Sequence, residues 1–209
     1  MSARRRPGRP AGPGVDAAVR REELLDAAER AIRTGGPRVG LREVADQAGY
    51  ARSVVYAIFP NRAALFAALS GRHAAAILTT VAARVPEDAS ERQRLSTFID
   101  AVCEWVEDEP NLYRALGAQP LAGEQADGLF DQLAAITEQM LVANLAAQQS
   151  DPAAAAPWAH AMIGAVAVAS AWWQRTGTMS RPELVEHLTV MCWEGGARLP
   201  LYAAAKSNP

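Results

Sequence analysis

Apolar residues along this chain recur at helical spacing. From Arg21 onward, Leu24, Leu25, Ala28 and Ile32 share one side of a helix that Gly35, Gly36 and Pro37 bring to an end. A second, short helix after Gly40 turns Leu41, Val44, Ala45 and Ala48 inward and stops at Gly49, a residue free to take a backbone conformation that other side chains resist. A third, about residues 51–59, has Val55, Ile58 and Phe59 at i, i+3 and i+4, which leaves Arg52, Ser53, Tyr56 and Ala57 on the opposite side. Asn61 can cap a long fourth helix that runs to Pro86, and Ser90 with Gln93 and Ser180 with Glu183 form capping boxes for two more. Glu109-Pro110 opens a short helix, Asp151-Pro152 leads into another, and "GLFDQLAAITEQMLVANLAAQQ" supplies one between them. With its alanine excess and few β-branched runs, the pattern predicts an all-α chain of about nine helices.

Half of the 209 residues are apolar, enough to bury a core in one large or two small domains. The longest apolar run, residues 161–173, contains Gly164 and Ser170 and falls short of the roughly 20 residues a membrane span needs. It is expected to be a buried helix, with no membrane partner. The basic start of the chain is followed by no apolar core of a signal peptide, so a cytoplasmic location is expected. Cys103 and Cys192 lie in helical segments without a CxxC spacing and are expected to be buried free thiols. His73, His160 and His187 form no H-x-x-x-H pair, and Glu104, Glu107, Asp108 and Glu109 read as a solvated helix end. There is no glycine-rich phosphate loop and no arrangement of nucleophile, base and orienting group. No catalytic residue, metal ligand or cofactor is expected.

Charge divides the chain in two. Its net charge is −2, yet residues 1–72 carry 13 Lys and Arg against 7 Asp and Glu, and residues 73–209 carry 8 against 16. A basic amino-terminal third suits a polyanionic partner. The third helix, set across the second by a glycine-containing turn, has the design of a helix that enters a DNA major groove. Ser53 and Ala57 are small enough to bring the backbone close to base edges, Arg52 can reach guanine or phosphate, and the Tyr56 hydroxyl can donate to phosphate.

These residues carry a resemblance. "LLDAAERAI", a Gly turn and then "LREVADQAGYARSVVYAIFPNRAALFAAL" look like the DNA-binding domain of the TetR family of bacterial transcriptional regulators. The family's pattern falls on Val44-Ala45, Ala48-Gly49, Val55-Tyr56, Phe59, Pro60-Asn61, Arg62 and Leu65, a match of about 45 contiguous residues. The departures are Ala51 in place of a capping serine, which costs about 1 kcal/mol, Val54 where threonine is common, and Ile58 where a histidine or tyrosine often reaches DNA. Arg62 replaces the usual lysine, which keeps a phosphate contact and adds a forked donor set. Tyr50 replaces a small aliphatic residue and can reach sugar and phosphate or pack on the first helix. The candidate DNA contacts are therefore Arg42, Tyr50, Arg52, Ser53, Val54, Tyr56, Ala57 and Arg62. Arg6 and Arg9 join them from the arm "RRRPGRP", which reads either as a minor-groove hook or as a basic tail that raises nonspecific affinity.

The nine-helix count and the closing "WWQRTGTMSRPELVEHLTVMCWEGGARL" also resemble the TetR regulatory domain. The expected division is a flexible arm over residues 1–18, a three-helix DNA-binding domain over 19–66, and a larger helical domain for ligand binding and dimerisation over 67–209. In the family the latter encloses an apolar pocket, for which Trp105, Tyr113, Leu133, Met140, Trp158, Met162, Trp172 and Trp173 are candidates, each of which also suits ordinary core. Asp100, Gln139, Asn144, His160 and Gln174 are candidate polar groups for it. Ala161, Ala165, Val168, Leu184, Leu188 and Met191 lie on faces that can build a four-helix dimer interface or fill the protomer's own core. The resemblance implies a homodimer on palindromic operator DNA, most often a repressor, released by a hydrophobic or amphipathic small molecule. An all-α enzyme on an apolar substrate and a helical adaptor for a protein partner are the alternatives, and neither accounts for the turn at Ala48-Gly49 together with Tyr56.

Overall fold

The structure is a computed structural model that describes residues 17–117 and 128–195. Among these residues the chain is helical throughout, with no strand. Helix α1 (Ala17–Gly35) begins four residues ahead of the expected start and ends where Gly36 turns the chain at φ 80°. Its stripe of Leu24, Leu25, Ala28 and Ile32 is buried as the spacing requires. Helix α2 (Leu41–Ala48) starts with the Glu43 carboxylate accepting from the Gly40 N–H at 3.0 Å and ends at Gly49, whose φ of 70° is left-handed. Helix α3 (Arg52–Ile58) follows with Ala51 at its N-cap and no side-chain cap. Val55 and Phe59 anchor it in a core made with Leu24, Ile32, Leu41 and Val44.

Helix α4 (Arg62–Arg84) joins this three-helix unit to the rest, and Asn61 Oδ1 accepts from the Ala64 N–H at its start, as the sequence predicts. The second unit consists of α5 (Glu91–Asp108), α6 (Pro110–Leu112) with a π-turn over Tyr113–Gly117, α7 (Leu129–Ala147), α8 (Ala155–Thr176) and α9 (Arg181–Glu194). Both capping boxes form, and Asp151 Oδ1 accepts from the Ala153 N–H in a 3-10 turn that leads into α8. Helices α7 and α8 make the most extensive pairing, α9 lies along α5, and α5 packs on α4. By length and composition alone, α4 and residues Pro152–Thr176 are long and apolar enough to cross a bilayer, which is weak evidence in helices that also bury core residues.

Cys103 is fully buried beside Ser170 of α8, and Cys192 is half-buried; neither forms a disulfide. Burial pushes the Cys103 thiol up to about 11. The acidic stretch at the end of α5 is not simply solvated. Glu104 pairs with Arg84 and Arg181, Glu107 with Arg181, and Glu109 with Arg33.

Candidate nucleic-acid interface and regulatory core

The outward side of α3 is the one the periodicity predicts. Arg52, Ser53, Tyr56 and Ala57 are exposed, Val54 is half-buried, and Tyr56 keeps 51% of its surface open although it is a large aromatic. Arg42 stands exposed on α2. Arg38, Arg42 and Arg52 are exposed and, among the described residues, make no close ion pair, although backbone hydrogen bonds at Glu43 and Gly40 and then the charges of Arg42 and Arg52 help to hold the Glu43 carboxyl below its usual range. A face of small and polar residues bordered by exposed guanidinium groups is shaped to approach phosphates and base edges.

Two of the expected DNA contacts are committed elsewhere. The Tyr50 hydroxyl donates to the Glu23 carboxylate of α1, and that bond holds the phenol above its usual range. Tyr50 thus ties the turn to α1. Arg62 turns back on the loop between α1 and α2, where Nη2 donates to the Pro37 carbonyl at 2.6 Å and Nε to that of Val39 at 3.1 Å. Its guanidinium carbon lies 3.8 Å from the centroid of the Phe66 ring. The reason is geometric, because two carbonyls at the loop and an aromatic face one helical turn along α4 match a planar fork. Arg6 and Arg9, with the arm reading itself, lie outside the described residues.

The candidate pocket residues do not converge. Tyr113, Leu133 and Trp173 are buried, with Tyr113 edge-on to Trp105 and to Phe130 at ring separations of 6.5 and 6.1 Å. Trp105 is half-buried at the junction with α4, where its Nε1–H donates to His73 Nδ1 at 3.2 Å. Met140, Trp158 and Trp172 point outward, and Met162 is half-buried. The polar candidates are likewise scattered. Asp100 pairs with Arg84 and Arg181, Gln174 donates to the Val106 carbonyl, His160 meets the Ala156 carbonyl of its own helix, Asn144 accepts from Gln148, and Gln139 is exposed. An open cleft of about 700 Å³ lies where the end of α5 meets α6 and the α8–α9 turn, lined by Arg114, Trp173, Gln174 and Arg181 among others.

The expected interface set divides in the same way. Leu184 and Leu188 are buried on the side of α9 that runs along α5, so they fill the protomer's own core. Ala161, Val168 and Met191 are exposed and Ala165 is half-buried. Together with Trp158, Met162, Cys192 and Trp193 several of these line a groove of about 520 Å³ between α8 and the end of α9. Trp193, 50% exposed, was not among the candidates, although a tryptophan two residues past Met191 on a helix end is a signal for it.

A glycine-turned pair of short helices with an outward polar face, carried by a larger helical unit, defines a helix-turn-helix DNA-binding regulator. Residues 24–69 match the family model described as bacterial regulatory proteins, tetR family, and residues 80–205 match the tetracyclin repressor-like C-terminal domain; the chain belongs to the TetR family. It is 26% identical over 180 residues to an HTH-type transcriptional regulator of Mycobacterium tuberculosis strain H37Rv, covering 83% of this chain and 76% of that protein. It is 26% identical over 188 residues to the HTH-type transcriptional activator FasR of Mycolicibacterium smegmatis, covering 87% and 85%. The fold is also that of the regulator FadR from Bacillus subtilis, solved with stearoyl-CoA, at a TM-score of 0.63 and 15% identity over 83% of this chain and 98% of that one.

Proposed function

We propose that this protein is a ligand-responsive repressor that binds a palindromic operator as a homodimer in the cytoplasm. The observation that carries the reading is the exposed face of α3, with Arg52, Ser53, Tyr56 and Ala57 outward and the exposed Arg42 beside it on α2. In this reading α3 enters the major groove, Arg52 meets guanine or phosphate, Tyr56 donates to phosphate and Arg42 adds a phosphate contact from α2. One recognition helix reads few base pairs, and two half-sites about a helical turn apart require a second copy. The apolar groove between α8 and α9 is the surface that supports pairing, since Trp158, Met191 and Trp193 are too large and too apolar to stand together in water without a partner, and Val168 of α8 is exposed as well. The functional division is the arm over 1–18, DNA binding over 19–66, and ligand binding with dimerisation over 67–209.

The effector we propose is an amphipathic molecule with an acyl chain, in keeping with the stearoyl-CoA bound by the Bacillus subtilis regulator of the same fold. Effector and operator then oppose each other through a coupling of about 1–3 kcal/mol, and each weakens the other equally. The activator FasR among the relatives favours a second reading, in which the same DNA-bound dimer activates transcription. Selection of bound duplexes from random DNA, repeated with Arg52→Ala and Tyr56→Ala, tests the reading. A two-half-site motif retained by the wild type and lost in both variants is expected; retention without any enriched motif refutes it. Acyl-CoA added to the selected duplex complex is expected to release it, and undiminished binding removes the proposed effector class.

A further inference from the structure

One carboxylate joins the two parts of the molecule. Glu29 lies on the inner stripe of α1 and is buried, with only 9% of its surface open. Around it stand Arg33 of the same helix at 3.1 Å and two residues of α4, Arg72 at 3.3 Å and His73, whose Nε2 faces Glu29 Oε1 at 3.4 Å. Burial raises the carboxyl, and His73 with the charges of Arg72 and Arg33 outweighs that and holds it below its usual range. Each of these partners is itself held. Arg33 forks onto Glu109 with contacts of 2.7 to 3.1 Å, and its own carbonyl accepts from Asn111 at 2.8 Å. Arg72 also pairs with Asp26. Trp105 of α5 donates to His73 Nδ1, so that nitrogen carries the lone pair and the buried Nε2–H is left on the Glu29 side, 3.4 Å from Oε1 and without a hydrogen bond of good geometry. Trp105 in turn meets Tyr113 and, through it, Phe130 in the heart of the second unit.

A buried carboxylate is tolerated only with compensating groups close by, here Arg33, Arg72 and His73 within 3.1–3.4 Å, and moving one away leaves an undercompensated charge. We propose that Glu29 is the positioning residue that sets the angle of the DNA-binding unit, with His73 and Trp105 as the arm that reports the state of the regulatory core to it. A shift of Tyr113 or Phe130 moves Trp105, removes the donor from His73 Nδ1 and lets the ring move away from Glu29, so α1 and, through α2, the recognition helix lose their fixed orientation. The proposal rests on the DNA-binding regulator reading for its purpose, and on this junction alone for its mechanics.

Trp105→Phe tests it: an aromatic ring is kept beside Tyr113, while the N–H donor goes together with part of the indole, so the readouts are local and specific rather than a loss of overall stability. Hydrogen exchange of the full chain, without DNA, is expected to speed up at least threefold in α1 peptides spanning Glu29 and to stay unchanged in α9. Unchanged exchange in α1 overturns the proposal. The second readout uses a duplex selected by the wild-type protein and the same duplex with one base pair inserted at its centre. The wild type is expected to prefer the original spacing at least tenfold, and Trp105→Phe and Glu29→Gln to narrow that preference to threefold or less. A full spacing preference in a folded, dimeric Trp105→Phe overturns the proposal even where Glu29→Gln does not fold. Failure to select any duplex counts against the DNA-binding reading, and the exchange experiment still decides the junction.

Discussion

Replacing Arg62 by lysine separates two roles open to a cation at the start of α4. If Arg62 serves as a phosphate contact, lysine retains it. If it serves as a clamp, lysine fails, because one ammonium cannot hold the Pro37 and Val39 carbonyls at 2.6 and 3.1 Å while lying flat on Phe66. A hydrogen bond from a charged donor contributes about 1.5–3 kcal/mol and an exposed cation–π contact about 0.5–1, and Arg62 is largely exposed, so solvent reduces both. The expected cost of Arg62→Lys is roughly 1–2 kcal/mol, a fall in Tm of roughly 3–6 °C for a chain of this size at fixed protein concentration. The assay pairs thermal unfolding with the salt dependence of binding to a selected duplex. Each phosphate contact adds about 0.9 to the slope of log K against log salt, so a clamp leaves the slope unchanged in both Arg62→Lys and Arg62→Ala. Wild-type stability in Arg62→Lys, together with a slope lower by about one in Arg62→Ala, refutes the clamp and restores the phosphate contact.

Further predictions concern the second unit. Leu188→Ala, which opens a cavity between α9 and α5, is expected to lower protomer stability by about 2–4 kcal/mol in urea unfolding, whereas Val168→Asp, at a position 65% exposed, is expected to yield a folded monomer in sedimentation. Equal loss of fold in both variants contradicts the division of these residues. At Gly117 a Cβ would sit 2.8 Å from the Phe130 ring and 3.0 Å from Tyr113, so Gly117→Ala is expected to destabilise by about 1–3 kcal/mol, measured as a lowered denaturation midpoint; an unchanged midpoint refutes the close packing. The Cys103 thiol, with its pKa raised by burial to about 11, favours the fold while it is protonated. Stability therefore holds below the unfolded value of about 9 and falls by about 2–3 kcal/mol as pH rises through about 11, and Cys103→Ala is expected to flatten that part of the pH profile. In a Cys192→Ser background the native protein is also expected to resist thiol labelling at pH 8, and rapid labelling counts against burial.

Tertiary context alone decided where several long side chains point. Arg62 sits at a position open to DNA in the linear pattern and Tyr50 at one open either to DNA or to the first helix; Glu23 and the Pro37 and Val39 carbonyls, brought near by the packing of α1 and the loop before α2, engage them. Helix α8 is apolar on most sides, so its spacing cannot tell which of Trp158, Met162, Trp172 and Trp173 faces inward; the pairing with α7 and α5 makes that choice and leaves Trp158 and Trp172 outside. Leu184 and Leu188 are assigned to the protomer by α5 in the same way. One signal was present and unused, because Glu29 stands four residues after Leu25 and three before Ile32, on the buried stripe of α1.

What the sequence determined by itself was local. Caps at Asn61, Ser90 and Ser180, the left-handed Gly49, and the inward faces of α1, α2 and α3 each depend on a few neighbouring residues whose geometry has one low-energy solution. The exposed face of α3 follows from them, since burying Val55 and Phe59 turns Arg52, Ser53, Tyr56 and Ala57 outward. The Glu29 junction, the clamp at Arg62 and the outer face of α8 and α9 depend on residues tens of positions apart, and only the packed helices bring those within reach of one another.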